Sequence, residues 1–283
     1  MTFTLPRLIA LGALIAVLFY AAALCWIYLQ QEKLLFAPER LPSDHRFNVG
    51  ADVHELSVPV PGATLSVLHL RLDRPKGVVF FLHGNAGSLD TWFVNTTLYR
   101  ELNYDLVMLD YRGYGKSTGR IESEAQLHAD VQAVWSTVAD RYQGLVRVVL
   151  GRSLGTALAA KWAVKHQPEL TVLVSPYCSM SELAQQHFPL VPSRLLRYPL
   201  ATCEDMAQLQ QPALLIHGGK DTLISPQHSE RIRARAPRAQ VLRIEDAAHN
   251  DVHLFDAYTQ ALRQSLGALN VKNNQLVTKS HPG

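Results

Sequence analysis

Cysteine is scarce in this 283-residue chain: Cys25, Cys178 and Cys203 are the whole complement, and no two of them stand in a C-x-x-C spacing. That argues against a disulfide-framed scaffold and against a structural zinc site. An odd count leaves at least one thiol unpaired, while a Cys178–Cys203 bond stays open in an oxidising compartment, because sequence alone does not give their separation in space. Charge of one sign is missing as well. Lys plus Arg number 27 against 24 Asp plus Glu, a net +3, with the bases scattered rather than run together. The electrostatic footprint of a nucleic-acid binder is therefore absent. At 48% hydrophobic and 18% charged residues, the chain is too apolar for disorder and too mixed for a polytopic membrane protein.

One stretch has no charge at all. Leu8 to Leu29 reads LIALGALIAVLFYAAALCWIYL, and as a helix it rises about 33 Å, close to a hydrocarbon core of roughly 30 Å. Tyr20, Trp26 and Tyr28 lie toward one end, and Arg7 with the terminal amine marks the other. Two readings compete: an uncleaved single-pass signal anchor over residues 1–29, and a cleaved secretory signal ending near Ala21-Ala22-Ala23. The apolar run continues past those small residues, which favours the anchor. Leu24 precedes Cys25 where a lipoprotein signal would carry a small residue. Lys33, Arg40 and Arg46 follow the span, so flanking charge does not set the orientation. The short leading segment is that of a signal anchor, which puts the bulk of the chain on the non-cytoplasmic side.

Residues 30–49, punctuated by Pro38 and Pro42, read as a juxtamembrane linker with one sticky stretch, Leu34-Leu35-Phe36, suited to lie on either the membrane or the domain. Beyond them, short apolar runs at 64–70, 78–82, 106–109, 146–150, 172–174, 214–216 and 241–244 have the character of strands. Helical periodicity fills 89–102, 122–142, 154–166, 226–234 and 252–266. Fully apolar strands alternating with helices predict an α/β domain over 50–268, with a mostly parallel sheet covered on both faces. Residues 269–283 read as a polar tail. One interval, 176–211, carries no strand pattern and reads as a small helical cap over the carboxyl ends of the strands, where open α/β sheets bind ligands; the alternative is an ordinary surface loop. Tyr177, Phe188 and Leu195 are its candidate substrate-binding residues.

Gly151-Arg152-Ser153-Leu154-Gly155 fits G-x-S-x-G between an apolar strand and a helical pattern. A serine on such a turn stands out at the top of the sheet, close to helix-terminal N–H groups. A hydroxyl is a poor nucleophile near neutral pH, so a base and an orienting carboxylate are required. Asp221 follows the 214–216 strand and His249 follows the 241–244 strand, giving the order Ser153, Asp221, His249. Asp246 is a rival acid, only three residues from His249. The Asn85 and Leu154 N–H groups are the candidate oxyanion hole, which leaves His83 a structural role. Two decoys fail. Gly113 to Thr118 ends in G-K-S, but Asp110 stands where a phosphate loop needs glycine; His249 and His253 are i, i+4, but Asn250 replaces the glutamate of H-E-x-x-H. No metal and no cofactor is implied.

His83-Gly84-Asn85-Ala86-Gly87, Asp110 to Ser117, Gly151 to Gly155, His217 to Asp221 and Ala248 to Asp251 together resemble the α/β-hydrolase superfamily. More narrowly, the chain is similar to its membrane-anchored serine hydrolases, which include protein depalmitoylases and lysophospholipase-like members. The resemblance spans roughly residues 30 to 268. It implies an α/β-hydrolase fold, a small-molecule ester, thioester or lipid substrate, and an acyl-enzyme route. The amino-terminal cysteine cluster of the depalmitoylating members is missing here, which argues against that substrate. The rival functions are a serine peptidase on the same three residues and a catalytically silent, membrane-tethered interaction module.

Overall fold

The computed structural model describes residues 4–278, with side chains through Leu269. Helix α1 (Leu5–Leu29) leads into α2 (Gln31–Leu35) and the two-residue strand β1 (Ala37–Pro38). The domain then runs β2 (Val53–Val60), β3 (Ala63–Leu70), β4 (Gly77–Leu82), β5 (Ala86–Gly87), α3 (Leu89–Trp92), α4 (Thr96–Leu102), β6 (Tyr104–Leu109), α5 (Glu124–Val138), β7 (Val146–Arg152), α6 (Gly155–His166) and β8 (Leu170–Val174). After it come α7 (Met180–His187), α8 (Thr202–Gln208), β9 (Ala213–Gly218), α9 (Gln227–Arg235), β10 (Ala239–Ile244) and α10 (Asp256–Thr278).

Eight strands form one sheet in the order β10-β9-β8-β7-β4-β6-β3-β2. Only β3 runs against its neighbours; every other pairing is parallel. Every residue of β4, β6 and β8 is buried, because helices cover both faces and leave no side of these strands to water. The pleat divides them between two cores. Val78, Phe80 and Leu82 point to one face, where Phe80 meets Trp135 and Trp162 at 5.6 Å each; Val79 and Phe81 join Leu106, Leu150, Tyr258 and Leu262 on the other. Each large side chain removed from water in this way contributes about 1.5–3 kcal/mol. The parallel strands all end at one edge, with Leu82 beside Gly151 and Gly218 beside Ile244, and the loops leaving that edge carry the site.

Sequence and structure part in four places. The helical pattern over 89–102 is broken into α3 and α4 by Asn95, which takes φ +56°. Strand β2 has no counterpart among the apolar runs, since it is an edge strand with a single buried residue, Val58. The tail expected from 269 instead continues α10 to Thr278, while 279–283 lie outside the described residues.

The fourth is the linker expected over 30–49, whose first part is bound to the domain. Gln31 is 3% exposed; its Nε2 donates to Leu195 O at 2.8 Å and its Oε1 accepts from Arg197 N at 2.9 Å. Glu32 accepts from Tyr198 Oη at 2.6 Å and pairs with Arg197. Phe36 is buried edge-on to Tyr198, and β1 pairs with β5. Polar side chains that look solvated in sequence here satisfy the backbone of another segment.

The 176–211 interval holds α7, α8 and a short 3₁₀ turn, Ser193–Leu195. Cys178 and Cys203 are disulfide-bonded across its base with Cα atoms 4.6 Å apart, leaving Cys25 free and exposed. Closing a loop of 25 residues restricts the unfolded chain by about 3 kcal/mol. Cys203→Ser is therefore expected to lower the melting temperature as much as reductant lowers that of the wild type, with no additive effect of the two.

Candidate active site

Strand β7 delivers Ser153 at its carboxyl end. The serine adopts φ +49°, a left-handed conformation costly for a side-chain-bearing residue, on the order of 1–3 kcal/mol. Its N–H donates to Val174 O at 2.9 Å, holding the turn against β8. The flanking glycines are dictated by space. A Cβ on Gly151 would lie 2.4 Å from Gly155 O, and one on Gly155 would lie 2.0 Å from Leu82 O. Helix α6 thereby packs directly on β4 and β7, and its buried residues are mostly small, among them Ala157, Ala159, Ala160 and Ala163, with Leu158 and Trp162 the large ones. Gly155→Ala is expected to destabilise the fold by about 3 kcal/mol or more, because backbone must move on both sides; thermal melts of purified variant and wild type measure it.

The loop after β10 delivers His249, with the turn set by the Ala248 N–H donating to Asp251 Oδ1 at 2.7 Å. His249 Nε2 lies 3.1 Å from Ser153 Oγ, and its Nδ1 lies 2.7 Å from Asp221 Oδ2. Asp221, after β9, is 5% exposed. Its Oδ1 accepts from the N–H groups of Leu223 at 3.0 Å and Ile224 at 2.8 Å. Burial alone would push this carboxyl up, but hydrogen bonds from His217, His249 and the Ile224 N–H outweigh it and hold it well below the usual carboxylate range. The rival Asp246 is exposed and occupied by Lys220 Nζ at 2.7 Å.

Two contributors are not evident from the sequence. His217, wholly buried, sits with Nε2 at 2.8 Å from Ile224 O and 3.3 Å from Asp221 Oδ2, while its Nδ1 meets Ser229 Oγ at 2.7 Å. Asp221 is thus flanked by two imidazoles. Arg152, the variable residue before the serine, reaches over the histidine loop. It donates to Asn250 O at 2.9 Å and His249 O at 3.4 Å, approaches His253 Nδ1 at 3.0 Å, and lies 5.1 Å from the Trp92 ring centre. Burial lowers its guanidinium's pKa from the ordinary value. The only sequence signal for either was adjacency to the motifs already picked out.

For the expected oxyanion donors, Leu154 is the N-cap residue of α6 with no side-chain cap, and among the described residues the N–H groups of Leu154 and Asn85 donate to no backbone carbonyl. The Asn85 side chain is engaged elsewhere, its Oδ1 accepting from Ala37 N at 3.2 Å and Tyr114 Oη at 3.0 Å. His83 is buried, with Nδ1 2.7 Å from Gly84 O and its ring 4.3 Å from that of Tyr111. The three substrate-binding candidates occupy three different settings. Tyr177 is buried in the core with Oη 3.4 Å from Leu154 O, so it supports the turn below the serine rather than lining open space. Phe188 is 64% exposed at the cap tip, and Leu195 is half-buried with its carbonyl taken by Gln31. A cavity of about 680 Å³ lies beyond Arg152, lined by Phe81, Trp92, Asn250, His253, Leu254 and Tyr258 among others; neither Ser153 nor His249 faces it.

Fold and motif order are those of one large superfamily, and the chain spans just under two thirds of the length of the curated relatives it matches. A family model described as serine aminopeptidase, S33, matches residues 73–199, and one described as alpha/beta hydrolase fold matches residues 200–256. The chain belongs to the α/β-hydrolase superfamily. It is 30% identical over 197 residues to alpha/beta hydrolase domain-containing protein 17B of Xenopus laevis, covering 67% of this chain and 66% of that protein. To 17C of Xenopus tropicalis it is 31% identical over 192 residues, covering 66% and 60%. Among solved structures, an esterase of Pyrococcus furiosus superposes with TM-score 0.65 at 18% identity, over 82% of this chain and 98% of that one. A thioesterase domain from the curacin biosynthetic pathway superposes with TM-score 0.55 at 15% identity, over 76% and 99%.

Proposed function

We propose that this chain is a membrane-anchored serine hydrolase that cleaves carboxylic ester or thioester bonds of acyl-chain substrates. The observation that carries the reading is the hydrogen-bonded line Ser153 Oγ, His249 Nε2, His249 Nδ1, Asp221 Oδ2, with links of 3.1 and 2.7 Å. His249 takes the Ser153 proton as Oγ attacks the carbonyl carbon, Asp221 orients the imidazole and stabilises its charged form, and the N–H groups of Leu154 and Asn85 hold the oxyanion. His249 then gives its proton to the leaving alcohol or thiol. Water, deprotonated by the same imidazole, releases the acid from the acyl-enzyme. A fluorophosphonate probe tests this: membranes carrying wild type should label, and Ser153→Ala and His249→Ala membranes should not. Labelling that survives in Ser153→Ala refutes the assignment.

Arg152 acts through the loop that bears His249. Arg152→Met keeps the aliphatic stem but removes both carbonyl contacts, and a base displaced by a fraction of an ångström is expected to slow turnover by about 10- to 100-fold. The loss should fall on kcat with KM nearly unchanged, and steady-state kinetics on a short-chain ester separates the two.

The apolar helix α1, none of it buried against the domain, supports the anchor. The Cys178–Cys203 bond supports a catalytic domain on the non-cytoplasmic side, because such bonds persist in oxidising compartments. Protease accessibility in intact cells checks this. The esterase and thioesterase among the fold neighbours favour a small-molecule ester. The aminopeptidase family model favours a second reading, amide hydrolysis on the same residues; relative rates on acyl esters and aminoacyl amides decide between them.

A further inference from the structure

We infer that the tip of the cap, Phe188-Pro189-Leu190, is a wedge seated among lipid acyl chains beside α1, so that the cap is held in the membrane surface. The inference rests on the anchor reading of α1. Three observations carry it.

The first is position. Tyr20 Oη donates to Leu190 O at 2.5 Å. Tyr20 precedes Leu29 by nine residues, which places this contact about 14 Å back along the helix. A helix of 25 residues is about 37 Å long against roughly 30 Å of hydrocarbon, so a few ångströms at each end lie among headgroups and the contact sits about 10 Å deep. Gln31 fixes the other end of the same segment through Leu195 O and Arg197 N. The chain from Arg197 to Leu190 therefore descends along α1 from the interface inward.

The second is chemistry graded along that descent. Arg197, at the level where the helix ends, lies 5.3 Å from the Tyr28 ring centre, and Arg194 is exposed next to it; both suit a headgroup layer. Deeper in, Phe188 is 64% and Leu190 78% exposed, so most of both apolar side chains is left uncovered by the described chain.

The third is the backbone. Hydrocarbon penalises an unpaired carbonyl by several kcal/mol, so irregular chain enters it only with its polar groups satisfied. The carbonyls of Phe188, Pro189 and Leu190 accept, respectively, from Val191 N at 2.9 Å, Gln185 Nε2 at 2.9 Å and Tyr20 Oη at 2.5 Å. Phe188 N donates to Ala184 O at 2.7 Å, and Pro189 has no N–H. All three carbonyls of the tip are therefore satisfied, and the Leu190 N–H is the one backbone donor there without an acceptor among the described residues.

The test uses full-length Phe188→Trp and Leu190→Trp in phosphatidylcholine vesicles whose acyl chains are brominated near mid-depth, with wild-type fluorescence subtracted. Gln143→Trp, at the opposite edge of the sheet before β7, is the control. Quenching by the brominated lipid at 188 and 190 but not at 143, with iodide reaching only 143, is the expected result. Iodide quenching at all three positions without bromolipid quenching overturns the wedge. Flotation of the same samples separates the causes: protein that floats without lipid quenching refutes the wedge and leaves the anchor standing, whereas protein that does not float refutes both. Leu190→Asp should also slow hydrolysis of a vesicle-embedded long-chain ester by about tenfold while leaving the rate on a water-soluble short ester within about twofold.

Discussion

Ser153→Ala is expected to lower kcat for ester hydrolysis by about a millionfold, the scale on which a single triad member is lost. The fold should not notice, since among the described residues the Ser153 hydroxyl hydrogen-bonds only to His249 and the strained backbone is kept. Ser153→Gly tests the strain separately. Glycine accepts φ +49° without the penalty on a Cβ, so this variant should be as inactive as alanine yet more stable, by about 1 kcal/mol. Paired activity assays and thermal melts read both effects. A glycine variant that melts no higher than alanine would mean the turn is not strained in solution.

The second large effect belongs to Asp221. Asp221→Asn is expected to reduce kcat by about ten-thousandfold, because an amide offers its NH₂ to His249 Nδ1 and favours the wrong tautomer. The same carboxylate links activity to stability. Its pKa is held below the ordinary value by His217, His249 and the Ile224 N–H against the opposing effect of burial, so it contributes stability that is present above its unfolded-state pKa. That contribution is lost as pH falls through the lowered native value. The melting temperatures of wild type and Asp221→Asn should therefore differ most near neutrality and converge below about pH 4. A gap that persists unchanged into acid would mean that the carboxylate's charge contributes nothing.

Much of this was legible in the sequence because parallel strands buried on both faces must be written as unbroken apolar runs. All seven apolar runs fall on strands, six of them parallel and one, β3, antiparallel, and Ser153, Asp221 and His249 follow the carboxyl ends of three of them. What could not be read rests on polar groups whose partners are distant in the chain. Gln31 looks like a linker residue until Leu195 and Arg197 are seen around it. His217 looks like one more histidine among 12 until Asp221 is 3.3 Å away. Strand β2 was hidden for the opposite reason: an edge strand needs little burial, so its residues carry no apolar signature. Tyr177 has the composition of a pocket residue, and only packing shows that it fills core.

The disulfide at the base of the cap also bears on how this scaffold can change. Two Cα atoms 4.6 Å apart bracket a 25-residue excursion that leaves the sheet and returns to nearly the same point, while β8 and β9 pair with each other independently of what lies between. Doubling the length of such an excursion adds only about 0.6 kcal/mol of closure entropy. The segment is not uniformly free to change: Tyr198 and Leu200 are buried in the core and Gln31 and Glu32 hold Leu195, Arg197 and Tyr198, so a longer, shorter or differently shaped insert is tolerated at the exposed tip around Phe188 to Leu190, where it leaves Ser153, Asp221 and His249 undisturbed.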